Sequence, residues 1–169
     1  MNDRLLRILM DMDIVYREPV TLSSGDESEF YIDVKKAYGD CEAVGAIADE
    51  MHRFIGADAN CVAASGYGGL RLAGRLCDDH CYMLSMVRDR PKGHGRPSLI
   101  DGYEPGTGDG VYIVDDVFTT GKSIRKVADI VRRTGAEIVG CGVVVKRGNT
   151  DLQDIGIELD YILTESDFL

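Results

Sequence analysis

Residues 111 to 123 read Val-Tyr-Ile-Val-Asp-Asp-Val-Phe-Thr-Thr-Gly-Lys-Ser and constrain the fold more tightly than any other stretch of the chain. The apolar run Val111 to Val114 predicts a buried strand. Asp115 and Asp116 stand where that strand is expected to leave the sheet, with both carboxylates expected to face solvent. Val117 and Phe118 lead into the turn Thr119, Thr120, Gly121, Lys122, Ser123. Ile124, Val127, Ile130 and Val131 then recur at helical spacing. The turn offers backbone N–H groups, three hydroxyls and a helix N-terminus, all suited to a phosphate. Ionised carboxylates only accept hydrogen bonds, so the acid pair suits a diol or a metal ion and would repel a phosphate.

Two rival readings of this stretch fail. Gly121-Lys122-Ser123 looks like the end of a P-loop, but that motif requires Gly at position 116, which is Asp116 here. An ordinary strand-to-helix connection with surface acids does not explain why the pair, the turn and the flanking apolar runs agree with one another.

The remaining chain predicts an α/β protein. Leu5, Leu6, Ile8, Leu9 and Met12 mark an N-terminal helix, and two short strands, Val20 to Leu22 and Phe30 to Val34, flank Ser23-Ser24-Gly25-Asp26-Glu27. Helix and strand then alternate: helix 42–55, strand 60–64, helix 69–79, strand 82–87, a polar loop from 88 to about 108, the strand and helix described above, and strands near 138–145 and 160–163. Such alternation indicates a parallel sheet with helices on both faces. At 169 residues without a linker or repeat, the chain fits one domain, a small N-terminal hood (about 1–38) on a core (about 39–169).

In parallel sheets, ligands bind beyond the carboxyl ends of the strands. Those ends carry, in chain order, Ser65-Gly66-Tyr67-Gly68-Gly69, Arg88, Asp115-Asp116 and Lys146-Arg147. One rim would therefore hold a flexible Gly-rich loop, cationic positions and the acid pair, which is what a polyphosphorylated sugar needs. Residues 88–97, Arg-Asp-Arg-Pro-Lys-Gly-His-Gly-Arg-Pro, contain four fixed cations and no apolar anchor. They read as a lid that brings positive charge when closed. His94 gains weight beside Lys92, whereas His52 and His80 have no such company.

Composition excludes several function classes. No apolar run approaches the roughly 20 residues that span a bilayer, which leaves a cytoplasmic location as the default and no membrane partner. A net charge of −10 argues against nucleic-acid binding. Five scattered cysteines without a Cys-x-x-Cys pair read as reduced thiols.

Residues 111–123 closely resemble the 5-phosphoribosyl-1-pyrophosphate (PRPP) signature of type I phosphoribosyltransferases. Arg88-x-x-x-Lys92-x-His94-Gly95 resembles the catalytic loop of the orotate phosphoribosyltransferases within that family. Leu22-x-Ser24-Gly25-x-x-Ser28-x-Phe30-Tyr31-x-Asp33 resembles their N-terminal segment, and Val145-Lys146-Arg147 the strand end that meets the orotate carboxylate. The match runs from about residue 18 to 148. The resemblance implies that Asp115 and Asp116 hold the ribose hydroxyls and that Val117 through Ser123 wrap the 5′-phosphate. Gly66, Tyr67, Gly68, Arg88, Lys92 and His94 would serve the pyrophosphate, and Tyr31, Ile32, Thr119 and Arg147 the base. It implies Lys92, His94, Arg88 and Asp116 as the catalytic set, Mg²⁺ bound mainly through PRPP, and a homodimer whose 88–97 loop is shared across subunits. Transfer to a purine or another base, and a PRPP-sensing regulator, are the alternatives on the same fold. The chain departs from the family at three positions where lysine is common, Asp89, Gly68 and Ser23. Asp89 would add repulsion towards substrate, and Arg90 and Lys35 are the candidates to compensate.

Overall fold

The computed structural model describes residues 3–17, 20–21, 27–28, 30–91 and 98–168. Helix α1 (Asp3–Asp11) is followed by four two-residue strands, β1 (Val15–Tyr16), β2 (Val20–Thr21), β3 (Glu27–Ser28) and β4 (Tyr31–Ile32). These pair as two antiparallel ribbons, β1 with β4 and β2 with β3. The short helix α2 (Val34–Ala37) leads to α3 (Cys41–His52), whose N-terminus is capped by the Asp40 side chain accepting from Ala43 N at 2.8 Å. Then come β5 (Cys61–Ser65), α4 (Gly66–His80), β6 (Met83–Val87), β7 (Ile100–Gly102), β8 (Gly110–Phe118), α5 (Lys122–Arg132), β9 (Glu137–Lys146) and β10 (Leu159–Thr164).

The main sheet runs β10-β9-β8-β5-β6-β7, parallel except for the edge strand β7. The alternation of β8 assigns its two faces. Tyr112 and Val114 join Leu5, Ile47, Met51 and Leu72 in one buried cluster, under α1, α3 and α4. Val111 and Ile113 join Ile124, Val127 and Val131 of α5 in the other. Helices therefore cover both faces, as the alternating pattern predicts.

Four boundaries differ from the sequence reading, each for a physical reason. Strand β8 does not end at Val114: parallel pairing of Asp115 with Val143, Val117 with Val145 and Phe118 with Lys146 carries it through the acid pair. The Gly66–Gly69 segment is the first turn of α4 and not a loop. Its glycines let the helix pack against β8, since a Cβ at Gly69 would lie 2.9 Å from the Val114 carbonyl oxygen. Strand β7 lies inside the region expected to be loop, paired with β6. The hood strands are shorter than expected, and β1 was absent from the sequence reading. His52 and His80, at the ends of α3 and α4, stack with ring centroids 3.8 Å apart, while the Tyr82 hydroxyl meets His52 Nδ1 at 2.9 Å, a packing role away from the rim.

Candidate active site

Because β5, β6, β8 and β9 are parallel neighbours, their carboxyl ends share one edge. Across the sheet that edge presents Lys146 at the end of β9 and Arg147 just after it, the acid pair within β8, the first turn of α4 after β5, and Arg88 after β6. The acid pair thus sits between the cationic strand end and the glycine turn.

Successive residues of β8 point to different neighbours, so the two carboxylates have different surroundings. Asp115 accepts from the Ser123 hydroxyl at 2.6 Å and from the Asp116 backbone N–H at 2.9 Å. It is buried, with 8% of its surface exposed, which corrects the expectation that both acids face solvent. Its position inside the paired strand, under the start of α5, is the cause. Burial first, and the neighbouring Asp116 charge second, push its carboxyl from the ordinary 3.8 up to about 7. Asp116 lies on the other side. Its Oδ1 accepts from Val117 N at 2.9 Å, and its Oδ2 accepts from Lys35 Nζ at 3.1 Å. A Cβ at Gly68 would collide with the Asp116 carboxylate, so the bare glycine is what lets that side chain lie against α4.

The raised Asp115 pKa has a consequence for stability. A group whose folded pKa exceeds its unfolded value contributes stability that is fully present below about pH 4 and is lost as pH rises through about 7. Asn at this position keeps the shape and mimics the protonated form. Asp115→Asn should therefore match wild type near pH 4 and exceed its Tm by roughly several degrees near pH 8. Scanning fluorimetry across pH checks this; a Tm difference that does not vary with pH would show that the Asp115 charge is not strained.

The turn after β8 is built around Gly121, which has φ of 74° and whose Cβ would lie 2.7 Å from the Phe118 ring. Phe118 and Gly121 are buried beneath the turn, while Thr119, Thr120, Lys122 and Ser123 are exposed above it. The Phe118 side chain thus supports the turn, and what it offers the rim is backbone; its carbonyl accepts from Arg147 N at 2.9 Å. The Thr119 carbonyl accepts from the Thr150 hydroxyl at 2.5 Å, which ties the turn to the segment after β9.

On the hood side, Arg147 is 10% exposed; it stacks on Phe30 with the guanidinium carbon 4.9 Å from the ring centroid and pairs with Glu165 at 3.4 Å. Tyr31, next to Phe30 in sequence, is half-buried, whereas the Ile32 side chain is 1% exposed and packs in the core. Tyr67 is 92% exposed at the start of α4. Arg88 pairs with Asp101 of β7, and Lys146 leans over the Tyr161 ring at 5.3 Å. Asp89 accepts from Lys126 of α5 at 2.6 Å, a partner that lowers its pKa and balances its charge. The cation paired with Asp89 is thus Lys126, and not one of the two candidates, Arg90 and Lys35. Lys92, His94 and the rest of 92–97 lie outside the described residues, as does Ser23.

Three residues at this rim carry little or no weight in a sequence reading. Phe30 and Glu165 grip Arg147, and the Tyr38 hydroxyl is buried without a hydrogen-bond partner among the described residues. Burial, then the charges of Asp116 and Asp115, raise the Tyr38 pKa. Only Phe30 had a signal, its place in the segment Phe30-Tyr31-x-Asp33.

Residues 83–167 match the model of the phosphoribosyl transferase domain. The orotate phosphoribosyltransferase of Thermococcus kodakarensis is 35% identical over 164 residues, covering 95% of this chain and 88% of that one. The chain belongs to the orotate phosphoribosyltransferase family. Among solved structures, orotate phosphoribosyltransferase from Aeropyrum pernix superposes with a TM-score of 0.83 at 32% identity, covering 96% of this chain and 94% of its own. The Mycobacterium tuberculosis orotate phosphoribosyltransferase in complex with PRPP gives 0.76 at 27% identity, covering 96% and 95%. The type I phosphoribosyltransferase fold, with its mostly parallel sheet between helices, is the fold of this chain. Among the described residues no helix is long and apolar enough to cross a membrane.

Proposed function

We propose that this protein transfers the 5-phosphoribosyl group of PRPP to orotate, releasing pyrophosphate and orotidine 5′-monophosphate for pyrimidine synthesis. The observation that carries the reading is the place of the acid pair. Asp115 and Asp116 lie between a hydroxyl-rich turn and the glycine turn of α4, on a rim whose other end holds Arg147. That family relatives carry the orotate name over most of both chains supports the same substrate, and the complex of one with PRPP supports the donor.

In this reading the Thr119–Ser123 turn takes the 5′-phosphate on N–H groups and hydroxyls at the start of α5. Asp115 and Asp116 accept from the ribose diol. Gly66, Tyr67 and Gly68, with Arg88, Lys92 and His94 of the 88–97 loop, surround the pyrophosphate. Bond cleavage at the anomeric carbon leaves positive charge on the sugar and negative charge on the departing pyrophosphate. Cations brought by the loop stabilise the second, and loop closure keeps water from the first. Arg147, held by Phe30 and Glu165, would leave Glu165 to meet the orotate carboxylate, with Tyr31, the Ile32 backbone and Thr119 around the ring. Magnesium bound mainly through PRPP would supply further charge neutralisation. The Asp115 oxygens are engaged by Ser123 and the Asp116 N–H, and Asp116 Oδ2 by Lys35, which leaves the phosphate oxygens of PRPP as the natural ligands for the ion.

The hood and core act as one domain, and the active form is a homodimer in which the 88–97 loop closes over the partner's site. The five free thiols support a reducing, cytoplasmic setting. With Mg²⁺ and PRPP, orotate should be consumed at least about a hundredfold faster than adenine, guanine or hypoxanthine, because a site built for a charged group discriminates against bases lacking it. Spectrophotometric turnover with each base checks this. Comparable turnover of a purine, or none with orotate, overturns the assignment.

A further inference from the structure

Lys35 is the one described cation that touches the acid pair. It projects from α2 in the hood to a carboxylate 81 positions further along the chain, with Nζ 3.1 Å from Asp116 Oδ2 and 3.7 Å from Asp33 Oδ1. Three features make this more than a surface ion pair. The Asp116 side chain is 14% exposed, so the interaction is only partly screened by water. The position facing Asp116 from α4 is Gly68, where any side chain would collide with the carboxylate, so α4 supplies no cation there. The neighbouring Asp115 is buried, and a second charge beside it is costly unless something balances Asp116.

We propose that Lys35 is a positioning residue for the ribose clamp, a cation delivered by the hood that balances the two adjacent carboxylates and fixes Asp116 against the first turn of α4. The inference rests on the reading that this pair binds the PRPP ribose. A clamp of two unbalanced acids would take up a proton and turn an acceptor into a donor, and it would also repel a substrate carrying several negative charges. Lys35 works against both: its ammonium stands 3.1 Å from Asp116 Oδ2, and with the side chain 44% exposed it adds positive charge where the donor enters. Partial burial works against the ammonium, but the charge and hydrogen bond of Asp116, with Tyr31 and Asp33 behind it, outweigh this and raise the Lys35 pKa above the ordinary lysine value. The remaining groups around the pair are Ser123 from α5, Tyr38 just after α2 and Cys141 from β9, with Arg71 of α4 near Tyr38. None of them donates a hydrogen bond to Asp116 among the described contacts. Lys35 also links hood to core, so anything that moves the hood changes the charge seen by the clamp.

The test uses Lys35→Met and Lys35→Arg in the full chain, with two readouts. The first is ¹³C NMR titration of the aspartate carboxyls in the empty protein. Loss of the cation should move the titration of the Asp115–Asp116 pair up by about one pH unit, and arginine should restore it. The second is kcat/KM for PRPP across pH. Lys35→Met should lower it roughly tenfold near pH 7, mostly through KM, with the acid limb displaced upward and the deficit shrinking at higher pH; Lys35→Arg should recover most of the loss. A Lys35→Met protein whose carboxyls titrate as in wild type overturns the proposal. So does a uniform loss at every pH that arginine fails to rescue, which would mark Lys35 as a hood anchor only. If Lys35→Met does not fold, Lys35→Gln and the arginine variant carry the same comparison. Wild-type protein that does not bind PRPP would overturn the functional reading, and the empty-protein titration would still decide whether Lys35 governs the pair.

Discussion

Asp116→Asn should lower kcat/KM for PRPP by about a hundredfold or more. An ionised carboxylate accepting from a sugar hydroxyl contributes roughly 1.5–3 kcal/mol per hydrogen bond, and an amide replaces one acceptor with a donor. The variant also strands the Lys35 ammonium without the carboxylate that holds it at 3.1 Å. Folding should be little affected, because the side chain lies at the rim and its backbone pairing is unchanged. Asp115→Asn differs, since that carboxyl is buried and its neutralisation should stabilise the protein above neutral pH while impairing the same substrate. The pair of variants therefore separates two effects that adjacent acids would otherwise confuse: loss of PRPP affinity is shared, and relief of the burial penalty belongs to Asp115 alone. Calorimetric titration with PRPP together with melting curves measures both. Asp116→Asn that binds PRPP as tightly as wild type would place the ribose clamp elsewhere.

The difference between the two acids also marks where the sequence stops being informative. The rim was legible because each piece of it follows from local pattern: apolar runs that end in Ser65, Val87 and Lys146, parallel connections that put those ends on one edge, and a turn whose Gly121 has a positive φ. The unequal burial of Asp115 and Asp116 was not legible, because it depends on strand pairing that resumes through Val117 and Phe118 after the acids. A run of glycines from Gly66 reads as a loop by propensity, yet close packing against β8 winds it into helix, a case of tertiary contact overriding local preference. Strand β7, Ile-Asp-Gly, is too short to show any period and exists because β6 offers it an edge. Asp89 shows the same limit for charge: the sequence gives its neighbours Arg88 and Arg90, while its partner is Lys126, 37 positions away. Motif spacing finds the groups that act on a ligand; it does not find the groups that act on those groups.

Lys92→Ala should reduce kcat by roughly 10²–10³, the effect of removing one donor aimed at transition-state charge, with little change in Tm. The reason lies in the 88–97 stretch, which carries four fixed cations and no apolar side chain. Arg88 is held by Asp101 and Asp89 by Lys126, contacts that closure of the proposed lid would have to release or carry. On the proposed dimer, the loop of one subunit serves the site of the other, and Lys92 and Asp116 of any one active site come from different chains. Two separately inactive proteins, Lys92→Ala and Asp116→Asn, should then complement each other once subunits exchange. In a mixed dimer, one site receives both defects and the other receives neither. With random exchange half the dimers are mixed, so about a quarter of wild-type activity should return. Differently tagged subunits show whether exchange has occurred, and steady-state rates before and after it give the recovery. Exchange without recovery would mean that each loop closes over its own chain, because every site would then keep one defect.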